Sequence, residues 1–342
     1  MRKFGYRLAV VGALLASAMS FSGAASAADD VTVQLDWVVR GAHAMFFVGQ
    51  EKGFFADNGI NLTEVHKGSG SANALRIVAN GNATFGFADV PTLMTGLTQG
   101  IPVTSIAVIN QRSTLAMISI KDKHPLEKPS DLKGLQIGVS PASGSAYIFL
   151  KTFLAQNGMS LDDIKQNTVS PPYENYLVMG RVDAIPGYID AEVPELEAKT
   201  GGPGSLSILQ GADYGYVAFG SGLLASDKLI KENPDLVKRF IKGYLEAMAY
   251  TADHPEEAVA DIVKANPEYK GKEDILLEEL KFDIAHSFFT DNTKAHGMGW
   301  ISPEQWSATV KMLQKEGGLP ATASATTGFT NEFVDAAAPV RR

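Results

Sequence analysis

The sequence predicts an α/β protein built from two lobes that face each other across a cleft. Short apolar strands alternate with helices, and the alternation restarts after a polar segment near the middle of the chain. Each half also contains a helix end, a glycine, a short apolar strand and an aspartate in that order. A β-α-β-α order is typical of a parallel sheet covered by helices. The 342 residues are enough for two such units.

The first block of elements begins at residues 31–35, where apolar and polar residues alternate as in a strand. Apolar residues at helical spacing follow over 44–55, and Asn58-Gly59 is a typical helix stop. The same patterns predict further strands at 61–65, 84–88 and 103–109, and helices at 72–79 and 92–99.

The second block lies between a stretch rich in lysine and proline (121–133) and one rich in glycine (200–205). Within it we predict strands at 135–139, 183–188 and 206–209, and helices at 147–156 and 192–199. From about Pro234 the chain is predicted to be mostly helical and to pack on the first lobe. We therefore assign residues 28–120 and 216–342 to lobe one, residues 121–215 to lobe two, and hinges to 118–120 and 217–220.

The first 27 residues have the pattern of a secretory signal peptide. Arg2, Lys3 and Arg7 precede an apolar run, and Ala25-Ser26-Ala27 has the small-x-small form that signal peptidase reads. The apolar run is shorter than the ~20 residues that a membrane span requires. We expect cleavage before Ala28 and export of the remaining chain.

Composition excludes several functional classes. The chain has no cysteine, which excludes disulfide scaffolds, zinc ribbons, thiol catalysis and the lipid anchor of a bacterial lipoprotein. A net charge of −8 argues against general nucleic-acid binding, which uses a basic surface. With an export signal and no lipid anchor, the expected location is the periplasm.

Sequence motifs of catalysis are also missing. The chain has neither a Gly-x-Ser-x-Gly elbow nor a His-Glu-x-x-His segment, and its six histidines lack ligand spacing. Its glycine segments match neither a P-loop nor the full dinucleotide fingerprint. We therefore expect no enzymatic activity, no metal site and no cofactor.

Two serine-glycine-serine segments are candidate binding elements. Ser69, Gly70 and Ser71 precede one predicted helix, and Ser143, Gly144 and Ser145 precede another. Free N–H groups and the helix dipole make a helix start suitable for an anion or a carbonyl oxygen. Serine is also a good N-cap, so a purely structural role is the alternative.

Side chains at the strand ends complete the candidate site, because ligands bind outside the carboxyl ends of the strands in such sheets. Asp36 and Trp37 follow the first strand, where Trp37 could stack on a flat ligand and Asp36 could accept its N–H groups. His43 follows at the start of the first long helix. The same argument selects Asp89, Tyr188, Asp190 and Tyr216. The alternative for each is a core or helix-capping role.

A series of short motifs runs through nearly the whole chain after residue 28. They are Leu35-Asp36-Trp37, His43-Ala44, Phe47-Val48, Glu51-Lys52-Gly53-Phe54-Phe55, Asn58-Gly59-Ile60, Phe85-Gly86-Phe87-Ala88-Asp89, Leu132-Lys133-Gly134, Val182-Asp183-Ala184 and Ser302-Pro303-Glu304-Gln305-Trp306. Together they resemble periplasmic substrate-binding proteins of ABC importers. The most similar branch includes nitrate, sulfonate and taurine binders and the binders of thiamine pyrimidine precursors.

This resemblance implies a type II two-lobed periplasmic-binding-protein fold that closes on a small-molecule ligand and docks on an ABC permease in the inner membrane. A monomer is the usual state of such receptors. The positions of Asp36, Trp37 and His43 match cleft residues of the precursor binders, which makes a small, flat pyrimidine the first expectation for the ligand.

The sequence departs from the precursor binders in two places. Val39-Arg40 stands where that branch has Pro-Asn, and Met45 stands where it has glycine. Arg40 suits an anion, so a sulfonate, taurine, nitrate or an aromatic carboxylate is the alternative ligand. Fungal relatives that synthesise the pyrimidine depend on a cysteine-rich iron motif, and the absence of cysteine argues against that activity here.

Overall fold

The computed structural model describes residues 28–139, 144–170, 172–315 and 318–337. The predicted signal peptide and Ser143 lie outside these residues. The ten strands of the described part are β1 (Asp29–Gln34), β2 (Ile60–His66), β3 (Phe85–Asp89), β4 (Val103–Val108), β5 (Leu115–Ile120), β6 (Gln136–Val139), β7 (Lys165–Thr168), β8 (Ala184–Tyr188), β9 (Leu206–Gln210) and β10 (Ser221–Ser226).

The α-helices of the described part cover both sheets. They are α1 (Ala44–Glu51), α2 (Phe54–Asp57), α3 (Ser71–Ala79), α4 (Val90–Thr98), α5 (Ser145–Gln156), α6 (Glu174–Val178), α7 (Glu192–Thr200), α8 (Asp227–Glu232), α9 (Pro234–Asp253), α10 (Pro255–Ala265), α11 (Glu273–His286), α12 (Asp291–His296), α13 (Pro303–Lys315) and α14 (Glu332–Ala336). None of these helices is long and apolar enough to cross a membrane.

The strands form two five-stranded sheets, in the orders β2-β1-β3-β10-β4 and β7-β6-β8-β5-β9. The parallel pairs β1–β2, β1–β3, β6–β7 and β6–β8 agree with the predicted β-α-β order. The expectation of parallel sheets is wrong for β10 and β5, because each runs antiparallel to both of its neighbours. Each sheet is therefore mixed.

The chain crosses twice between the sheets, at residues 109–114 and 211–220. The crossings are hydrogen-bonded to each other, from Ser113 N–H to the Ala218 carbonyl (3.0 Å) and from Gly220 N–H to the Asn110 carbonyl (2.9 Å). The hinge expected at 118–120 instead lies inside β5, which pairs with β8 and β9. Residues 115–120, which we expected in lobe one, therefore belong to the sheet of lobe two.

Helix α9 shows how the helical C-terminal part joins lobe one. Its buried residues recur at helical spacing, and Phe240 among them stacks on Phe85 of β3 with ring centroids 3.9 Å apart. The same ring stacks on Phe55 of α2 at 5.5 Å. Burial of such large rings is a major source of folding free energy. Helix α9 therefore packs on the sheet that contains β3.

Candidate functional site

A cavity of about 290 Å³ lies between the two lobes and is called the interlobe cavity below. Its volume is near the lower end of the range typical of small-molecule sites, ~300–1,000 Å³. Lobe one contributes Asp36, Trp37, Arg40, Ser69, Gly70, Ser71, Ala72, Asn73 and Arg76. Lobe two contributes Gly144, Ser145, Ala146, Tyr173, Pro186, Gly187, Tyr188 and Glu192.

The segment after β1, residues 35–40, forms one wall of the cavity and is called the cleft loop. Gly68 N–H donates to the Trp37 carbonyl (2.8 Å), and Gly70 N–H donates to the Asp36 carbonyl (2.6 Å). A Cβ atom at Gly68 would lie only 2.2 Å from the Leu35 carbonyl oxygen. Glycine at position 68 therefore allows the chain before α3 to pack directly against the cleft loop.

Asp36 is the centre of a buried charged network. Its Oδ1 accepts from Nε2–H of His43 and its Oδ2 accepts from Nη2 of Arg40, both at 3.1 Å. Nδ1 of His43 in turn accepts from the Arg40 backbone N–H (3.3 Å), which favours the neutral tautomer protonated at Nε2. Both oxygens of Asp36 are thus occupied within the protein, although we expected them to accept ligand N–H groups.

Burial and charge fix the protonation states in this network. Burial alone would raise the pKa of Asp36, but the Arg40 guanidinium and the hydrogen bond from His43 together hold that pKa below its ordinary value. Burial lowers the pKa of His43, so the imidazole stays neutral near pH 7. An ionised Asp36 beside Arg40, with a neutral His43 behind it, is the state that results.

Arg40 keeps donor capacity that the protein does not use. The residue is 5% exposed, and its guanidinium carbon lies 5.1 Å from the centroid of the Tyr188 ring in lobe two. Its Nε is buried and has no hydrogen-bond partner in the described part of the chain. Because Arg40 lines the cavity, a ligand acceptor group there could use this fork of N–H donors.

The described residues of the two serine-glycine-serine segments, 69–71 and 144–145, line the cavity from opposite lobes. Gly70 and Gly144 are the N-cap residues of α3 and α5, and among the described residues no N-cap side chain caps either helix start. Ser71 accepts instead from the Asp89 backbone N–H (3.1 Å). Ser145 shares a 3.0 Å hydrogen bond with Thr92 of lobe one. The N-cap alternative is therefore wrong for Ser71 and Ser145, and two uncapped helix starts border the cavity.

Aromatic rings form two walls of the cavity. Trp37 of lobe one stacks on Tyr173 of lobe two, with ring centroids 6.0 Å apart and an angle of 16° between the ring planes. Tyr188 lines the cavity beneath Arg40. Tyr216 does not line it, because its ring is buried against Phe149 in the core.

Three predicted side chains lie behind the cavity rather than on its surface. His43 is fully buried and is linked to the lining of the cavity by its hydrogen bonds with Asp36 and with the Arg40 backbone. Asp89 is also fully buried and caps α4, where it accepts from the backbone N–H of Thr92 at 3.0 Å and from its hydroxyl at 2.8 Å. Burial raises the pKa of Asp89 to about 7. Asp190 accepts from the Thr114 hydroxyl beside the first crossing.

Among the lining residues with polar or aromatic side chains, four were not predicted from the sequence: Asn73, Arg76, Tyr173 and Glu192. Glu192 accepts from the Tyr188 backbone N–H (2.6 Å), and burial raises its pKa to about 7. Its position in the first helical turn after a strand end was a usable signal. Tyr173 lies between elements without periodicity, so only the fold brings it to Trp37.

The cavity can hold a ring between aromatic walls and a polar acceptor against N–H donors. Arg40 and the two uncapped helix starts supply those donors. Among the residues described, no group of three or more histidine, aspartate or glutamate side chains is arranged to hold a metal ion.

Two mixed sheets, two crossings and a cavity between the lobes define a two-lobed solute-binding fold. Residues 40–258 match the NMT1/THI5-like family, and the chain belongs to that family. The sequence resemblance to the branch with thiamine-precursor binders is thereby confirmed.

Relatives with named functions include binding proteins and enzymes. The riboflavin-binding protein RibY of Chloroflexus aurantiacus is 25% identical over 89% of this chain and 86% of its own. The formylaminopyrimidine-binding protein of Halalkalibacterium halodurans is 23% identical over 89% and 91%. The 4-amino-5-hydroxymethyl-2-methylpyrimidine phosphate synthase THI5 of Saccharomyces cerevisiae is 25% identical over 90% and 88%.

Solved structures confirm the fold. The periplasmic nitrate-binding protein NrtA of Synechocystis superposes with a TM-score of 0.68 at 14% identity, covering 91% of this chain and 88% of its own. The alkanesulfonate-binding protein SsuA of Xanthomonas axonopodis, bound to MOPS, superposes with a TM-score of 0.65 at 16% identity, covering 88% and 98%. The periplasmic-binding-protein fold expected from the sequence is thus present.

Proposed function

We propose that the protein is a periplasmic receptor that binds a small, flat, polar heteroaromatic molecule and delivers it to an ABC permease. The observation that carries the proposal is the pair of stacked rings, Trp37 and Tyr173, that meet across the cavity from opposite lobes. A planar ring can stack on such a wall when the lobes close around it. A pyrimidine of the thiamine precursor type is the first ligand to test.

The polar part of the site supports the same ligand class. The uncapped starts of α3 and α5 offer backbone N–H groups, and the Glu192 carboxyl offers an acceptor. Ring nitrogens, amino groups and carbonyl oxygens of a heteroaromatic ligand need both kinds of partner. Relatives named for binding riboflavin and formylaminopyrimidine are consistent with this chemistry.

Calorimetric titration of the chain without signal peptide tests the proposal. 4-Amino-5-hydroxymethyl-2-methylpyrimidine, its N-formyl-aminomethyl analogue and riboflavin form the panel. Trp37→Ala should weaken binding of the active ring compound by about 10–100-fold, the usual range for stacking on an aromatic side chain. Trp300→Ala is the matched control, because Trp300 stacks on His296 and does not line the cavity. Absence of heat and of a thermal shift with every ring compound would refute the ligand class.

A small anion is the second candidate, and Arg40 is the observation that favours it. Its guanidinium lines the cavity with an unused donor, and the positive ends of two helix dipoles face the same space. Benzoate, taurine and nitrate are the probes. If an anion is the ligand, Arg40→Gln should reduce its affinity at least about tenfold, as expected for a charge-assisted hydrogen bond, whereas Trp37→Ala should matter little for nitrate.

The absence of catalysis is part of the proposal. The relatives include named synthases, so family membership leaves both roles open. The chain has no cysteine, and the buried Asp36–His43 pair has both carboxylate oxygens and both ring nitrogens engaged within the protein. Recovery of the panel compounds unchanged after prolonged incubation supports a receptor, and conversion of any of them would overturn this part.

A further inference from the structure

Two buried carboxyl groups from opposite lobes meet beside the crossings. Asp190 follows β8 of lobe two and is 2% exposed, and Asp283 lies on α11 of lobe one and is fully buried. The Asp190 carboxyl lies within hydrogen-bonding reach of the Asp283 carboxyl. Neither residue is among those that line the interlobe cavity, so the pair is separate from the candidate ligand site.

The first crossing holds both carboxyls in place. Oδ1 of Asp283 accepts from Nδ2–H of Asn110 (2.8 Å), and Oδ1 of Asp190 accepts from the Thr114 hydroxyl. Oδ2 of Asp283 is buried and has no donor among the residues that the structure describes. One oxygen of Asp283 is therefore satisfied by the protein, and the other faces the second carboxyl without a donor.

A proton is the group that can join two such carboxyls. Ionised carboxylates only accept hydrogen bonds, so two of them repel each other unless one is protonated. Burial and the charge of Asp190 raise the pKa of Asp283 well above its ordinary value. With a proton on Oδ2, Asp283 donates to Asp190 and keeps Oδ1 as the acceptor for Asn110.

The surrounding charges do not replace that proton. Arg40 of the cleft loop favours ionisation of Asp283, but its effect is smaller than those of burial and of Asp190, and its guanidinium is bonded to Asp36. The hydroxyl of Tyr244, on α9, is buried and has no partner among the described residues. Other titratable groups in the electrostatic surroundings of the pair are His43, Glu192 and Glu279. Two of these are acids, and the third is neutral near pH 7.

We propose that Asp190 and Asp283 share one proton and that this proton holds the two lobes in the arrangement of this structure. The pair lies beside the crossings, so a small separation of the two carboxyls corresponds to a larger displacement at the mouth of the cleft. Separated carboxyls gain water and hold the proton less tightly. Linkage then requires that a rise in pH favours separated lobes, by up to about tenfold in the equilibrium constant per pH unit. This holds whichever ligand the cavity binds.

Asp283→Asn tests the shared proton, because its amide oxygen can accept from Asn110 while its N–H₂ donates to Asp190. The infrared difference spectrum of wild type minus this variant, near pH 7, should contain the C=O band of a protonated carboxyl. Asp274→Asn, at the exposed start of α11, is the matched control and should give no such band. Asp190→Asn supplies the same N–H from the other lobe and serves if Asp283→Asn does not fold.

Urea denaturation measures the same proton through stability. The pKa of Asp283 is higher in the folded than in the unfolded state, so the wild type loses stability as the pH rises. Between about pH 5 and pH 7 its unfolding equilibrium constant should rise, relative to that of Asp283→Asn, by up to about tenfold per pH unit. A difference spectrum without the band, or the same pH dependence in both proteins, would overturn the shared proton.

Alanine variants test whether the proton holds the lobes together. In X-ray scattering near pH 7, ligand-free Asp190→Ala and Asp283→Ala should both have a larger radius of gyration than the wild type, whereas Asp283→Asn should keep the wild-type radius. Asp190→Ala leaves the bond from Asn110 to Asp283 intact, so an increase there identifies the carboxyl pair rather than that bond. An unchanged radius in Asp190→Ala would overturn this part of the proposal. The spectra and the urea curves use asparagine variants and do not depend on the folding of either alanine variant.

Discussion

Replacing Asp89 by asparagine is expected to remove a loss of stability that the protein suffers as the pH rises from acidic values towards neutrality. Asp89 caps α4 through Thr92, and its Oδ1 is buried without a partner in the described structure. Asparagine is an equally good N-cap, so the two hydrogen bonds from Thr92 can persist. The substitution therefore removes a buried charge with little change of shape.

The size and sign of the effect follow from the pKa of Asp89, which burial raises from 3.8 to about 7. When a carboxyl has a higher pKa in the folded state than in the unfolded state, the free energy of unfolding falls as the pH rises from the lower to the higher of these two pKa values. Between about pH 5 and pH 8 the wild-type protein should lose roughly 3 kcal/mol through this one group, at ~1.4 kcal/mol per pH unit until the folded pKa is reached. The asparagine variant should not show this loss.

Urea denaturation of both proteins at about pH 5 and pH 8 measures the effect. The new amide N–H₂ carries a constant cost of about 1–3 kcal/mol if it finds no acceptor, so the quantity of interest is the change with pH rather than either free energy alone. Asp57→Asn, on the surface of α2, is the control, and its curves should run parallel to the wild type. Equal pH dependence in Asp89→Asn and wild type would show that Asp89 does not titrate near neutrality and would refute the argument.

Three further substitutions test packing around the site. Gly68→Ala places a Cβ atom 2.2 Å from a carbonyl oxygen of the cleft loop and should cost about 1–3 kcal/mol in urea denaturation while weakening ligand binding; an undisturbed affinity would contradict the packing described. Phe240→Ala removes the ring stacked on Phe85 and should cost about 3–5 kcal/mol; a loss below ~1 kcal/mol would contradict it. Ser145→Ala removes the 3.0 Å hydrogen bond to Thr92 across the cleft, which is worth about 1 kcal/mol. The radius of gyration of the ligand-free protein, measured by X-ray scattering, should therefore increase. An unchanged radius would show that this hydrogen bond does not hold the lobes together.

Most parallel strands and their helices were predictable because their apolar patterns are local. The two antiparallel strands were not. Every residue of Leu115–Ile120 is buried, so the strand has no polar alternation to mark it, and Ser221–Ser226 is a similarly short run after a loop. Each lies next to an edge strand in a different sheet, and these positions depend on the crossings, which are tertiary features. The lobe boundary was misplaced for the same reason.

For the site as well, features set by local sequence patterns were predictable and features set by the tertiary structure were not. Helix starts and strand ends placed Trp37, Ser71, Ser145 and Tyr188 at the cavity, since a parallel sheet brings such positions to one edge. Which way a polar side chain turns was not predictable: Asp89 turns inward because the start of α4 offers it two donors.

The two crossings form a hinge about which the lobes can rotate. Each crossing leads directly into an interior strand, β5 of one sheet and β10 of the other, and the two segments are tied by hydrogen bonds. The C-terminal end of α11 binds the first crossing as well, because Asn110 donates to Asp283 and to Ser287, both at 2.8 Å. Because regular strands lie on both sides of the crossings, bending is confined to a few residues. The lobes would then rotate about a single hinge axis at the crossings. In such a rotation the residues farthest from the hinge axis would move most, whereas residues next to Asn110 would move little.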